Sequence, residues 1–120
     1  MFLSPICTEL SKLGIPAKLE DLCDITIAGR KIAGNAQAQK FGAVIVHGSF
    51  LINADLKLIN QCLYQPKEIP KYRNNRTHEQ FLCNLSEFGV SKQQLIELFK
   101  NLELNVRDAQ ITNYELRITN

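Results

Sequence analysis

Gly29-Arg30-Lys31-Ile32-Ala33-Gly34-Asn35-Ala36-Gln37 is the stretch on which the reading of this chain turns. Gly34, Asn35 and the alanines from Lys31 to Ala38 offer little to anchor a side-chain core. Such a segment lets another molecule come close to the backbone; a β-bulge or a tight turn is the plainer reading. Just upstream, Ile25-Thr26-Ile27-Ala28 is short, β-branched and strand-like, and Gly29-Arg30 reads as a turn. Downstream of Gly42, Ala43-Val44-Ile45-Val46 is a continuous apolar run. A strand buried on both faces reads this way. Ser49-Phe50-Leu51-Ile52 continues it beyond His47-Gly48.

Helices flank this β-rich centre. Ser4-Pro5 opens like a capped helix carrying Ile6, Leu10 and Leu13, closed by Gly14 and Pro16. Asp55 caps a second helix with Leu56, Ile59 and Leu63. Gln65 to Arg76 is polar, holds Pro66 and Pro70, and reads as a solvated loop made basic by Lys67, Lys71, Arg73 and Arg76. A short helix over Thr77 to Leu85 would turn Phe81, Leu82 and Leu85 inward, and Ser91 with Gln94 forms a capping box for a helix bearing Leu95, Leu98, Phe99 and Leu102. From Leu104 onward a loose alternation suggests edge strands or a frayed tail. The order of elements predicts an α+β (mixed α/β) fold.

The 120 residues fit one domain or part of one, and 22% charged residues is ordinary for a folded chain. A formal net charge of +2 is too weak a bias to argue for nucleic acid or an anionic membrane as partner. Cys7, Cys23, Cys62 and Cys83 form no C-x-x-C pair, so their spacing carries no zinc or redox motif. No export signal and no membrane-length apolar run is visible, which predicts a cytoplasmic chain with reduced thiols. In that setting the two Asn-x-Ser/Thr matches at Asn75 and Asn84 are chance. Cys7, Cys62 and Cys83 sit among helical leucines and read as packing residues.

Residues 29–37 resemble the G-R-K-I-x-G-N-A-Q signature of the lipoate–protein ligase and lipoyl/octanoyl transferase family. Cys23-Asp24-Ile25 stands where that family usually has Asn-Asp-Ile, and His47-Gly48-Ser49-Phe50-Leu51 looks like its H-G-S/T-x-L. Asn53-Ala54-Asp55-Leu56 is similar to the next element, and Tyr72 to Phe81 to the Y-R-x-x-R-x-H-x-x-F of some members. The likeness runs from about Ile6 to Leu102. It implies part of a sheet like that of class II aminoacyl-tRNA synthetases and biotin synthetases, with flanking helices. It also implies an acyl-adenylate made from lipoate and ATP with Mg2+, then acyl transfer to a lysine on a lipoyl carrier domain. That carrier would belong to a 2-oxoacid dehydrogenase or be a glycine cleavage H protein.

By the same resemblance, Lys31 is the catalytic lysine at the adenylate phosphate, a role suited to a compact cation. Its plainer alternative is a solvated hairpin lysine. Gly34, Asn35 and Ala36 would line the adenylate, with His47 and Gly48 beside it. His47 is alternatively a core histidine satisfied by backbone. Asp24 would hold magnesium or a polar group of the nucleotide, or simply cap the surface. Cys23 departs from the family Asn, and a thiol cannot replace an amide contact.

The family's domain begins upstream of the first helix with strands and an R-R-x-x-G-G-G loop, which is not found here. Residues 1–120 are therefore expected to be a single, incomplete catalytic domain of this type. A truncated product, a subunit of a split enzyme with a separate N-terminal half, and a stand-alone remnant all fit. The leading reading is an ATP-dependent ligase segment, inactive alone. Its alternatives are a non-catalytic module whose basic loop steers acidic carrier domains, and an octanoyltransferase that uses a cysteine thioester, for which Cys23 is a weak candidate.

Overall fold

Residues 3–102 are described by the structure, a computed structural model. The stretch from Leu104 read as edge strands lies outside the described residues. Helix α1 (Ser4–Lys12) leads into four strands, β1 (Ala17–Glu20), β2 (Asp24–Ile27), β3 (Arg30–Lys40) and β4 (Ala43–Phe50). Helices α2 (Leu56–Cys62), α3 (His78–Phe81) and α4 (Lys92–Lys100) follow. The strands form an antiparallel meander in the order β1-β2-β3-β4. This is the α+β arrangement expected from the order of the elements.

Two hairpins have two-residue connections. Ile27 pairs with Arg30 around Ala28 and Gly29, and Lys40 pairs with Ala43 around Phe41 and Gly42. All four loop residues have positive φ. That is the geometry of a type I′ turn, whose twist matches the strands it joins. β1 was not foreseen: Ala17-Lys18-Leu19-Glu20 is too short and polar to stand out, and its pairing with β2 makes it a strand.

The core lies on one side of the sheet. Ile6 and Leu10 of α1, Ile25 and Ile27 of β2, Ala33 of β3 and Leu95 and Leu98 of α4 are buried together. Each large apolar side chain so buried contributes roughly 1.5–3 kcal/mol. Cys83 belongs to this core, as expected; Cys62 is exposed, contrary to its reading as a packing residue.

Three local readings are corrected. Ser4 is the first residue of α1 rather than its cap; Leu3 occupies the cap position without a side-chain bond, and the Ser4 carbonyl accepts from Thr8. β4 is not buried on both faces: Ile45 is 60% exposed, because the outer halves of β3 and β4 extend past the helices as a two-stranded ribbon. The loop before α3 is not simply solvated. Lys67 and Lys71 are exposed, but Arg73 is buried and Arg76 half-buried. Its Tyr72 side chain reaches Asp24 on β2, all four of whose residues are buried.

The caps at Asp55 and Ser91 were legible in the sequence; the one at Thr77 was not read there. Asp55 accepts from the Leu58 amide, and Thr77 with Gln80 and Ser91 with Gln94 form reciprocal capping boxes.

Candidate functional site

The signature segment is a strand, and its register decides where its side chains point. Asp24 pairs with Gly34 and Ile25 with Ala33, but Thr26 pairs with Lys31. Ile32 is thus an extra residue, a β-bulge opposite the Ile25–Thr26 step. Asp24 and Thr26 lie on one face of β2 by simple alternation. Their partners Gly34 and Lys31 therefore share a face, although three residues apart, which an unbulged strand would forbid. The bulge is held from outside: the Ile32 carbonyl accepts from the Leu51 amide and the Lys31 carbonyl from the Cys83 amide.

On that face the Lys31 ammonium meets the Asp24 carboxylate at 2.8 Å. The lysine stem lies across Gly34: a Cβ built there would stand 3.0 Å from both Cε and Nζ of Lys31. Gly34 is needed here for space, since its φ is not among the positive ones. The Tyr72 hydroxyl donates to the other oxygen of Asp24 at 2.5 Å. The plainer reading of Lys31 as a free hairpin lysine does not describe this geometry, nor does that of Asp24 as a surface cap: the carboxylate is buried.

Tyr72 comes from the loop before α3, which is fastened to the β2–β3 turn. Arg76 donates from Nη2 to the carbonyls of Gly29, at 2.8 Å, and Tyr72, at 2.9 Å. Arg73 donates from Nε to the Arg76 carbonyl and from Nη2 to Nδ1 of His78. The other His78 nitrogen then carries the proton, which it donates to the Tyr64 carbonyl. The Phe81 ring underlies Tyr72 at 5.3 Å and both guanidinium groups at 4.7 and 5.3 Å. The Y-R-x-x-R-x-H-x-x-F motif is one packed unit, and burial holds the Arg73 pKa below its ordinary value. Nothing in the residue types of this loop separated it from a solvated one; the spacing of its aromatic and basic residues was the available signal.

Asn35 points to the other face. Its Nδ2 donates to the Cys23 carbonyl at 2.7 Å, and its backbone amide to the same oxygen at 2.9 Å. Its side-chain carbonyl fills the space opposite Gly48, where a Cβ would collide with it and with the Gly34 carbonyl. Asn35 and Gly48 therefore set the backbone that carries Asp24, and the Asn35 amide does not join Lys31. Ala36 and its partner His47 lie on the Lys31 face, two pairs further along from Gly34 and Ser49. That step is roughly 7 Å along the strand. Both are exposed, so His47 is not a core histidine.

Both oxygens of Asp24 are engaged, by Lys31 and Tyr72, and among the described residues no group of three His, Cys, Asp or Glu side chains converges on one point. The donor set does not fit a magnesium ion held by side chains. The Cys23 thiol is pushed up by burial first and then by the Asp24 charge, with Lys31 lowering it to a lesser degree. It is a poor thiolate at neutral pH. Among the described residues no helix is long and apolar enough to cross a membrane.

The model of the lipoyl protein ligase A/B catalytic domain matches residues 1–103. The chain belongs to that family. Among curated members it is 29% identical over 103 residues to the octanoyltransferase LipM of Brevibacillus brevis, covering 79% of this chain and 37% of that one. It is 30% identical over 101 residues to the lipoate–protein ligase LplJ of Bacillus subtilis, covering 84% and 30%. The structure is similar to the bi-partite lipoate protein ligase of Thermoplasma acidophilum, with a TM-score of 0.66 at 28% identity, over 82% of this chain and 40% of that one. The chain thus spans 30–40% of the length of these family members.

Proposed function

We propose that this chain supplies the phosphate-facing part of a lipoate–protein ligase site. Lipoate and ATP are its substrates, the latter bringing its own Mg2+. Residues 1–120 act as one unit within that catalytic domain, with the rest of the site on a further segment or a separate N-terminal half. The observation that carries this reading is the Lys31 ammonium held over Gly34, at a strand position with no side chain. An adenylate phosphate reaching that surface meets a fixed cation and bare backbone.

In the first half-reaction the lipoate carboxylate attacks the α-phosphorus of ATP. The bond to pyrophosphate breaks, and lipoyl-adenylate remains. In the second, a lysine amine of the carrier attacks the acyl carbonyl, a C–N bond forms, and AMP departs with the electron pair. Negative charge gathers at the same phosphate both times. Lys31 is the residue that stabilises it, with Gly34 and Ala36 giving the ligand its approach and His47 and Gly48 on the neighbouring strand. The Thermoplasma acidophilum structure concerns a ligase and its E2 lipoyl domain, and on that likeness the partner here is a lipoyl carrier domain. A carrier-binding module built on a basic loop is less well supported, because Arg73 and Arg76 are spent inside the fold.

Octanoyl transfer is the second reading, favoured by the likeness to the LipM octanoyltransferase. The raised pKa of Cys23 counts against that thiol as its nucleophile.

Calorimetric titration of the chain with lipoyl-adenylate tests the proposal, alongside turnover once the rest of the domain is supplied. Lys31→Ala is expected to weaken binding strongly but measurably, and to lower adenylation and transfer ~100-fold or more. Near-wild-type values for Lys31→Ala would sink the assignment. ATP-independent transfer from octanoyl carrier protein that Cys23→Ser abolishes would replace the ligase reading with the transferase one.

A further inference from the structure

Lys31 is held in place from a part of the chain more than forty residues away. Among the described residues Asp24 is its one ionic partner. A carboxylate on a short strand could rotate about its side-chain bonds and carry the ammonium with it. Here it cannot do so freely: Oδ1 takes Lys31 and Oδ2 takes the Tyr72 hydroxyl. The Tyr72 ring is backed by Phe81, and its carbonyl is tied by Arg76 to the Gly29 carbonyl, two residues before Lys31. The loop therefore grips the lysine twice, once through the turn that carries its backbone and once through the carboxylate that aims its side chain.

We infer that Tyr72 is a positioning residue for Lys31, acting through Asp24; this rests on the phosphate-binding role proposed for Lys31. The hydrogen bond has two consequences. It fixes the carboxylate so that the ammonium stays over Gly34 rather than folding back along β3. It also draws charge from Asp24 and weakens its hold on Lys31, so that an arriving phosphate can share or take the ammonium. Without the hydroxyl the carboxylate would keep Lys31 and the weak Cys23 thiol contact, both on Oδ1, and Oδ2 would lose its anchor.

The high pKa of the phenol, raised by burial first and by the bond to Asp24 second, agrees with a hydroxyl that stays a donor throughout the working pH range.

Tyr72→Phe removes the hydroxyl and keeps the ring on Phe81. Two measurements on the 120-residue chain separate positioning from simple support. The first is the rate at which a small amine-reactive acylating reagent labels Lys31, followed by peptide mass spectrometry. A freed Asp24 and Lys31 should change that rate at least threefold, while labelling of exposed Lys67 stays constant. The second is the affinity for lipoyl-adenylate in a cycle of Tyr72→Phe, Lys31→Ala and both. A hydrogen bond to a charged group supports an expected loss of about tenfold for Tyr72→Phe alone, with no further loss in the Lys31→Ala background. Unchanged Lys31 labelling in Tyr72→Phe overturns the inference even if Lys31→Ala weakens binding. A loss that adds in full to that of Lys31→Ala also overturns it. An affinity unchanged by Lys31→Ala refutes the phosphate role instead, and the labelling rate alone then decides whether Tyr72 aims the lysine.

Discussion

Lys31 and Gly34 lie three residues apart on one strand and yet share a face, the lysine stem resting where a Gly34 side chain would be. The Ile32 bulge makes this possible, since a regular strand turns residues three apart to opposite sides. The site is thus a consequence of one extra residue.

Gly34→Ala places a methyl 3.0 Å from Cε and Nζ of Lys31. The far end of a flexible side chain can give way, so the stability loss is expected to stay below ~1.5 kcal/mol. The ammonium, however, must leave its place over the strand. Denaturant unfolding is expected to change little while affinity for lipoyl-adenylate falls at least tenfold, the scale of a displaced charge-assisted contact. Retained affinity would show that the bare backbone at Gly34 is not used.

Gly48→Ala is expected to be the more damaging glycine substitution. Its Cβ would meet the Asn35 side chain and the Gly34 carbonyl, and the backbone oxygen cannot move aside. A loss of ~1–3 kcal/mol is expected from overpacking. Asn35→Ala should relieve part of it, so the double variant unfolds at a higher denaturant concentration than the sum of the two single losses implies. Strict additivity would mean that the two residues do not meet.

Alkaline conditions should reveal Tyr72 as a late-ionising phenol. Burial first and the Asp24 bond second push it well up. The folded chain keeps the Tyr72 proton at a pH where the unfolded chain, with a tyrosine pKa near ~10, releases it. The stabilisation from this group is complete below about pH 10 and is lost as pH rises above that value towards the folded pKa. Tyr72→Phe is expected to remove this part of the alkaline destabilisation, read as a smaller fall in unfolding free energy above about pH 10. An equal fall in the variant and the parent chain would place Tyr72 in water.

Phe41→Asn should stabilise the chain and make it less adhesive. Phe41 is fully exposed at the tip of the β3–β4 ribbon, with φ at +53°. Asn tolerates that region far better, and Asn-Gly is the preferred type I′ pair. A gain of roughly 1 kcal/mol is expected from thermal or denaturant unfolding. Beyond β4 no further strand pairs among the described residues, and an apolar tip beside an open edge favours self-association. Light scattering of the variant is expected to show fewer oligomers, and unchanged association would place the contact elsewhere.

Much of this protein was written in its sequence. Turn glycines and apolar spacing marked α1, β2 and the three later helices, with caps at Asp55 and Ser91, because those signals act over a few residues and survive in any context. The signature around Lys31 and Gly34, with Asp24 before it and His47-Gly48 after it, was legible for the same local reason and pointed to the family. Position in three dimensions was not. Alternation along β3 would have sent Lys31 away from Gly34, and only pairing with β2 reveals that Ile32 is surplus. Asn35 carries a polar amide suited to a ligand, but the tertiary structure turns it to the Cys23 carbonyl. Val44 and Ile45 are apolar enough for a core, yet burial depends on what packs over them, and β4 runs past the helices. Arg73 and Arg76 look like surface charge until Phe81, the His78 ring and the Gly29 carbonyl surround them. In each case the sequence determined which chemical group was present, and long-range pairing and packing decided what that group could reach.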